Sequence, residues 1–283
     1  MKILVTGVRG QLGYDVCKEL NRLKIENRGV DIEDFDITDF EKVRAYILEY
    51  NPTAVIHCSA YTAVDRAEDN EELCRAVNVV GTENIARACK EISAKMMYIS
   101  TDYVFSGLGT NQYEEDDCTG PVSVYGKTKL EGEIVVRQII DRYFIVRISW
   151  VFGVNGNNFI KTMLRLAKEK TELNVVGDQV GSPTYTKDLA VLLCEMINTD
   201  KYGTYHATNE GFCSWAEFAE EIMKLANFKT KINYINTSEY PSRAVRPQNS
   251  RMSKNKLEAN GFSRLPNWKD ALKRYLEELK DNI

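Results

Sequence analysis

The stretch MKILVTGVRGQLG, residues 1–13, decides the fold of this 283-residue chain. Residues 2–6 form an apolar β-like run that ends at Gly7, the first glycine of a G-x-x-G-x-x-G pattern completed by Gly10 and Gly13. A helical pattern begins within this turn. Glycines between a strand and a helix let the backbone approach a pyrophosphate, whose charge is favoured at the helix N-terminus. The stretch therefore predicts a dinucleotide-binding βα unit, and a simple βα turn is the alternative.

Strand-like and helix-like segments continue to alternate through the first half of the chain. The predicted strands cover residues 2–6, 28–31, 54–58, 96–100 and 143–148. The predicted helices cover residues 11–23, 38–50, 71–92 and 122–140. Repeated βαβ units predict an α/β fold with a doubly wound parallel sheet of the Rossmann type.

The pattern becomes less regular after Gly153, where short strands and helices alternate without a fixed period. Two late helices are predicted over residues 214–225 and 266–279. We therefore predict a dinucleotide-binding domain over residues 1–153, which also carries the catalytic side chains. Residues 154–283 form mainly a smaller C-terminal α/β substrate lobe, and the chain is free to cross between the two lobes.

Composition excludes several classes of protein. The formal net charge of −4 shows no basic excess, which argues against nucleic acid as a partner. No apolar run is long enough for a membrane span or a signal peptide, so a cytoplasmic protein with no membrane partner is expected. Seven cysteines form no Cys-x-x-Cys pair, and the two histidines, His57 and His206, are too far apart in sequence to favour a metal site or a Ser-His-Asp triad.

The predicted strand ends identify candidate cofactor contacts. Asp31 ends the second strand, where a carboxylate binds a ribose 2′-hydroxyl and disfavours a 2′-phosphate, so NADH is favoured. Arg9 could instead reach a phosphate and admit NADPH, and Asp31 could equally cap the next turn. The predicted cofactor-binding residues, including two that follow from the catalytic pattern described next, are Gly7, Gly10, Gln11, Leu12, Gly13, Asp31, Asp36, Ile37, Ser59, Ala60, Tyr61, Thr62, Tyr125 and Lys129.

The sequence YGKTK, residues 125–129, supplies a candidate proton donor. Residues four apart share a helix face, so Tyr125 and Lys129 project together. A neighbouring ammonium favours the phenolate and makes the phenol a better acid, as the protonation of an oxygen beside an arriving hydride requires. Thr101 follows a predicted strand at the active-site edge, where its hydroxyl can bind the reacting carbonyl.

A second Tyr-x-x-x-Lys pattern occurs at Tyr14 and Lys18. About one such pattern is expected by chance in a chain with this many tyrosines and lysines. No strand-end hydroxyl precedes Tyr14, so we interpret this copy as ordinary helix packing.

The chain resembles the extended short-chain dehydrogenase/reductases and, within them, the reductases that act at C4 of a dTDP-linked 4-keto sugar. The resemblance runs nearly end to end. The motifs that carry it are GVRGQLG (7–13), YTAVDRAE (61–68), STDYVF (100–105), VYGKTK (124–129), RISWVF (147–152), NNF (157–159), DQ (178–179), GSPT (181–184) and RPQNSR (246–251). The resemblance implies hydride transfer from NAD(P)H to the sugar, in nucleotide-sugar and polysaccharide biosynthesis.

The resemblance also implies roles for individual residues. Tyr125 would donate the proton, and Lys129 would hold the nicotinamide ribose and lower the tyrosine pKa. The implied substrate contacts are Thr101, Asp102, Trp150, Arg246 and Arg251. Core packing is the alternative for Trp150, and surface ion pairing is the alternative for the two arginines.

One departure from the family concerns magnesium. Some members dimerise around a magnesium ion held by acidic residues, and Asp15 matches one such position. Lys187 stands where another acid would be expected, which makes magnesium doubtful. We therefore expect no catalytic metal, and a monomer or weak homodimer.

Two other functions remain open from the sequence. The first is an epimerase or dehydratase of nucleotide sugars, although Tyr103 stands where a dehydratase would carry a glutamate. The second is a non-catalytic nucleotide-binding subunit like the regulatory β subunit of methionine adenosyltransferase, which the Thr101, Tyr125 and Lys129 set disfavours.

Overall fold

The computed structural model describes residues 1–281. In chain order, the strands are β1 (Lys2–Thr6), β2 (Glu26–Val30), β3 (Ala54–His57), β4 (Lys95–Thr101), β5 (Tyr143–Ile148), β6 (Val151–Phe152), β7 (Glu172–Val176), β8 (Val180–Gly181), β9 (Thr184–Tyr185), β10 (Gly203–His206), β11 (Asn209–Glu210), β12 (Cys213–Ser214), β13 (Lys231–Ile235), β14 (Asn249–Ser250) and β15 (Leu265–Asn267). The helices are α1 (Gln11–Arg22), α2 (Phe40–Tyr50), α3 (Val64–Ala67), α4 (Glu71–Arg75), α5 (Thr82–Glu91), α6 (Val124–Ile139), α7 (Phe159–Ala167), α8 (Thr186–Ile197), α9 (Trp215–Leu225), α10 (Asn255–Ala259) and α11 (Trp268–Asp281). Short 3₁₀ turns cover Asp102–Val104 and Thr237–Glu239, and a π-helical segment covers Ala76–Gly81.

A six-stranded parallel sheet forms the centre of the larger lobe, in the order β2-β1-β3-β4-β5-β10. The doubly wound parallel sheet predicted from the sequence is confirmed. The direction in which strands are added reverses between β1 and β3. Ligands of open α/β sheets bind outside the carboxyl ends of the strands at such a reversal, so the turns after β1 and β3 are the expected walls of a site.

Helices cover both faces of this sheet. Ile3 and Val5 pack into the layer that contains α1 and α8, whereas Leu4 packs into the layer that contains α2, α5 and α6. Successive side chains of a strand point to opposite faces, which is why these neighbours enter different layers. All three side chains are fully buried. The apolar run of β1 is therefore explained by burial on both sides.

The smaller lobe is built around its own apolar core. Helices α7, α9 and α11 pack with the parallel pair β7 and β13, and Phe152, Phe218 and Tyr275 are buried among them. The chain then crosses between lobes, because β10 pairs with β5 and α8 packs on the face that carries α1. A division of the chain at residue 153 therefore remains a prediction about which half contributes most to each lobe.

The helix predicted over residues 71–92 is not one regular α-helix. It consists of α4, the π-helical segment and α5. The wider turn directs Asn78 inward, where its amide accepts from the Tyr61 backbone N–H at 2.8 Å and donates to the Thr128 hydroxyl at 3.1 Å. Single π turns of this kind are frequent at functional sites, and this one holds the loop after β3 against α6.

Capping side chains explain where other helices begin. Asp39 caps α2 by accepting from the Lys42 N–H at 3.3 Å, at the start of the helix predicted over residues 38–50. The last helix begins two residues later than predicted, because residues 265–267 pair with β11 as strand β15. Within residues 1–281, none of the helices combines the length and apolar character needed to cross a membrane.

Candidate active site

The glycine turn after β1 requires glycine at two of its positions. Gly7 has a φ of +72°, and a Cβ there would lie 2.7 Å from the backbone nitrogen of Ser59. A Cβ on Gly13 would lie 2.4 Å from the carbonyl oxygen of Gly7. The turn therefore packs directly against the loop after β3 and against the first turn of α1.

A cleft of about 690 Å³ lies at the carboxyl ends of the central strands. Residues of the glycine turn, the loop after β3, helix α6 and the smaller lobe line it. Most predicted cofactor-binding residues line it: Gly7, Gly10, Gln11, Leu12, Gly13, Asp31, Asp36, Ile37, Ser59, Ala60, Thr62, Tyr125 and Lys129. Tyr61 is not one of the lining residues, because its ring packs into a small apolar cluster with Ala67 and Val124.

The Gln11 side chain links the glycine turn to the segment after β6. Its Oε1 accepts from the Gly153 N–H at 2.8 Å and from Asn158 Nδ2 at 3.0 Å. Asn155 Nδ2 donates to the Arg9 carbonyl at 2.7 Å. The sequence placed Gln11 at the cofactor but gave no sign of this contact, because the partners are more than 140 residues away.

The Asp31 carboxylate lies at the end of the cleft beside the glycine turn. Its Oδ2 accepts from the Arg9 N–H and its Oδ1 accepts from the Ile32 N–H, both at 2.9 Å. The Arg9 guanidinium forms an ion pair with Glu33 instead of pointing along the turn. Both alternatives for Asp31 are therefore compatible with its position, since it holds the turn and lines the cleft.

Thr101 and Asp102 follow β4 at the same edge of the sheet. The Thr101 hydroxyl donates to Asp102 Oδ1 at 2.9 Å and accepts from the Tyr103 N–H at 3.2 Å. Asp102 Oδ2 accepts from the Ser250 hydroxyl, and the side chain is 3% exposed. Burial raises the pKa of Asp102 to about 6, and the two hydroxyl donors oppose that rise.

Tyr125 projects into the cleft from the first turn of α6. Ser123 caps this helix by accepting from the Gly126 N–H at 3.1 Å, which fixes where the helix begins. The Tyr125 ring meets the Tyr103 ring edge-on, with centroids 5.5 Å apart. Burial raises the pKa of Tyr125 above its ordinary value, and a hydrogen bond with the Thr101 hydroxyl partly offsets the rise.

Lys129 lies one turn further along α6 and is 2% exposed. Its Nζ donates to the Ile99 carbonyl at 2.7 Å and lies 4.0 Å from the centre of the Tyr98 ring. Burial lowers the pKa of Lys129 to about 7. Burial also raises the pKa of Tyr125, so desolvation acts on both members of the pair, and the effect of Lys129 on the tyrosine pKa stays a prediction.

Trp150 lies on the side of the cleft that faces the smaller lobe. It adopts a φ of +50°, which is unfavourable for a residue with a large side chain. Its ring stacks on Trp215 with centroids 3.7 Å apart and an interplanar angle of 12°. Both tryptophans line the cleft. Sequence reasoning did not include Trp215, although Ser214 and Glu217 form a capping box that signals the helix start beside it.

The two predicted substrate arginines lie outside the cleft lining. Arg246 donates to the Tyr103 hydroxyl at 3.1 Å and to Asp65 Oδ2 at 2.5 Å. Arg251 donates to Asn249 Oδ1 at 3.0 Å. Arg246 thus forms an ion pair and contacts Tyr103, which lines the cleft, and its contact with the substrate stays a prediction.

The residues at the doubtful magnesium position do not fit a divalent cation. The Asp15 carboxylate accepts from the Thr186 hydroxyl. Lys187 and Lys18 both direct ammonium groups at Glu278, at 3.3 and 3.5 Å. Hard divalent cations require several oxygen ligands, and two ammonium groups supply none. In the part of the chain that the structure describes, no group of three or more His, Cys, Asp or Glu side chains is arranged to hold a metal.

The fold and the cleft together define a class of protein. A parallel sheet, a glycine turn after its first strand, and a Thr–Tyr–Lys set at the same edge are features of dinucleotide-dependent oxidoreductases of the short-chain type. A family model described as the RmlD substrate binding domain matches residues 1–281. The chain belongs to this family.

Known proteins agree with this assignment over their full lengths. The spore coat polysaccharide biosynthesis protein SpsK of Bacillus subtilis is 41% identical, with 98% of this chain and 97% of that protein covered. A dTDP-4-dehydrorhamnose reductase of Escherichia coli K12 is 36% identical, with 99% and 98% covered. The crystal structure of dTDP-4-dehydrorhamnose reductase from Bacillus anthracis in complex with NADP is 43% identical, covers 98% of this chain and 100% of that chain, and superposes with a TM-score of 0.96.

Proposed function

We propose that this protein reduces dTDP-4-dehydro-L-rhamnose at C4 to dTDP-L-rhamnose, in the synthesis of nucleotide sugars for cell-surface polysaccharide. The observation that carries the proposal is the set formed by Thr101, Tyr125 and Lys129 at the cleft edge. Full-length similarity to reductases of this substrate supports it. We further propose a cytoplasmic enzyme that acts as a monomer or weak homodimer.

The cleft fits a nicotinamide dinucleotide. Gly7, Gly10 and Gly13 line the cleft where the turn meets the N-terminus of α1, which is where a backbone approaches a pyrophosphate. When bound, NADH or NADPH supplies the hydride that is added to C4 of the sugar. The relative from Bacillus anthracis, solved with NADP, supports NADPH, whereas the Asp31 carboxylate at the ribose end of the cleft supports NADH. We propose that either dinucleotide is accepted.

The chain's own residues would supply the proton and the orientation. Tyr125 keeps its phenolic proton at neutral pH, because its pKa is raised, and it would give that proton to O4 of the sugar as the alkoxide develops. Thr101 would hydrogen-bond the same oxygen. Lys129 would hold the nicotinamide ribose beside Tyr125. Asp102 and Trp150 line the substrate side of the cleft and would contact the sugar.

The assay that tests this proposal measures NADH and NADPH oxidation with the dTDP ketosugar, compared with UDP- and GDP-linked ketosugars. We expect one dinucleotide to be consumed for each sugar reduced, with the dTDP sugar preferred. Sugar conversion without net consumption would indicate an epimerase or dehydratase. If no ketosugar is reduced and a methionine adenosyltransferase catalytic subunit is captured, the protein is a nucleotide-binding regulatory subunit and the proposal fails.

A further inference from the structure

Helix α6 presents a third polar residue on the face that carries Tyr125 and Lys129. Glu133 lies one turn beyond Lys129, so the three side chains follow each other at i, i+4 and i+8. Glu133 is fully buried and Lys129 is nearly so. Burying an unpaired carboxylate raises the free energy of the folded state, so the partners of Glu133 indicate its role.

Glu133 receives four hydrogen bonds from three elements. Its Oε1 accepts from the Ser100 hydroxyl at 2.6 Å and from Arg147 Nε at 2.8 Å. Its Oε2 accepts from Arg147 Nη2 and from Arg137 Nη2, both at 2.8 Å. Ser100 directly precedes Thr101 in β4. Arg147 belongs to β5 and lies three residues before Trp150, which follows the end of that strand. Glu133 therefore joins the catalytic helix to the two strands whose ends carry the other site residues.

The bidentate pair with Arg147 is the buried core of this arrangement. Both side chains are at most 2% exposed, whereas Arg137 is 34% exposed. Arg147 also donates to the Glu115 carbonyl at 3.0 Å, which gives the guanidinium a partner outside α6. Two parallel N–H bonds fix orientation as well as distance.

The charge of Glu133 also acts on Lys129. The guanidinium of Arg147 and the hydroxyl of Ser100 keep the pKa of Glu133 low in spite of burial, so the carboxylate is ionised at neutral pH. This negative charge raises the pKa of Lys129 against the larger effect of desolvation. The other titratable groups around Lys129 are His57, Cys58, Cys74, Tyr98 and Tyr125, and burial keeps each of them in its neutral form.

We propose that Glu133 is a positioning residue for the Tyr125–Lys129 pair: it anchors the catalytic helix to the ends of β4 and β5, and its carboxylate, one helix turn from Lys129, favours the ammonium form of that lysine. Nothing in the sequence pattern around Tyr125 requires an acid at this position. The kinetic part of this inference rests on the proposed reductase function, whereas the electrostatic part does not.

The experiment titrates Lys129 directly by NMR of the protein labelled at lysine Cε, with the Lys129 signal assigned from Lys129→Met. In Glu133→Gln, we expect the Lys129 pKa to fall by about one unit, which is the scale of losing a nearby opposite charge. The alkaline limb of the kcat–pH profile should move to lower pH by the same amount. An unchanged Lys129 pKa in a folded Glu133→Gln variant would overturn the proposal.

Two further variants separate charge from position and from stability. Glu133→Asp keeps the charge but shortens the side chain, so we expect kcat to fall about tenfold, with the Lys129 pKa close to that of the wild type. If Glu133→Gln does not fold, an unchanged kcat in Glu133→Asp overturns the positioning role. The matched control is Asp188→Asn, which removes a carboxylate of α8 that Arg274 of the smaller lobe binds at 2.6 and 2.8 Å. We expect it to lose stability without moving the Lys129 pKa. The NMR readout needs no substrate, so it remains decisive if ketosugar reduction is not found.

Discussion

At the scale of the residue, the Asp102 carboxylate should set the acid limit of activity. Its pKa of about 6 lies above that of an ordinary aspartate, so below pH 6 it is mostly protonated, and the oxygen that carries the proton becomes a donor instead of a charged acceptor for Thr101 or Ser250. We predict that kcat/KM falls below about pH 6 and that Asp102→Asn flattens this limb. The measurement is a pH profile of both proteins from pH 5 to 8, and identical limbs would remove Asp102 from this role.

The same scale decides the choice of dinucleotide. Asp31 directs a carboxylate at the cleft and also accepts from the Arg9 N–H. Asp31→Asn retains an acceptor for the turn but loses the charge that repels a 2′-phosphate. We predict that the ratio of KM for NADPH to KM for NADH falls about tenfold, which corresponds to roughly 1.4 kcal/mol. Asp31→Ala serves as the second variant, and an unchanged ratio in both would show that Asp31 only supports the turn.

The sequence predicted that Thr101, Tyr125 and Lys129 lie close together, but it did not predict their pKa values. The spacing of Tyr125 and Lys129 on one helix face, and the placement of Thr101 after a strand, follow from local patterns and match the structure. The pKa of Tyr125 also depends on burial, which spacing does not reveal. The role of Arg246 was ambiguous from the sequence because its partner, Asp65, is 181 residues away.

At the scale of the element, the packing of α1 on the glycine turn should tolerate no side chain at Gly13 and a small side chain at Gly10. A Cβ on Gly13 would meet the Gly7 carbonyl oxygen at 2.4 Å, whereas a Cβ on Gly10 would meet it at 3.2 Å. We predict that Gly13→Ala lowers the free energy of unfolding by about 1–3 kcal/mol and weakens NADPH binding at least tenfold. Urea unfolding and cofactor titration measure both effects.

Gly10→Ala is the matched control for this prediction. It adds the same methyl group to the same turn, and a shift of a few tenths of an ångström accommodates it. We expect its free energy of unfolding to stay within about 1 kcal/mol of the wild type. Equal losses in the two variants would contradict the packing account.

The sequence predicted the start of a helix well where a neighbouring capping residue determines it. Asp39, Ser123 and Ser214 cap helices that the apolar spacing had already indicated. The π-helical segment was missed because its cause is tertiary: Asn78 is drawn towards Tyr61 and Thr128, which are distant in sequence.

At the scale of the whole molecule, ion pairs around Glu278 lie close to the position where some family members hold magnesium. Lys18 and Lys187 place two ammonium groups beside this carboxylate, and Asp15 is bound by Thr186. We predict that EDTA changes neither the activity nor the elution volume in size-exclusion chromatography. A loss of activity that magnesium restores, or a change of oligomeric state, would contradict this prediction.

The connection between lobes is the part of the molecule that the sequence could not supply. Strand β10 and helix α8 return from the second half of the chain to the central sheet, and Gln11 binds the segment after β6. Neither the strand pairing nor the Gln11 contact has a local pattern, because each joins residues far apart in sequence. The sheet type and its active edge, by contrast, follow from the βαβ alternation.

The central claim is that the Tyr125 phenol donates the proton when the ketosugar is reduced. The most direct test is the kcat of Tyr125→Phe with NADPH and dTDP-4-dehydro-L-rhamnose, measured together with the Kd of NADPH. The account predicts that kcat falls by about two orders of magnitude or more, the scale of a lost general acid, while the Kd stays within about twofold. A variant that retains a kcat close to that of the wild type would contradict it.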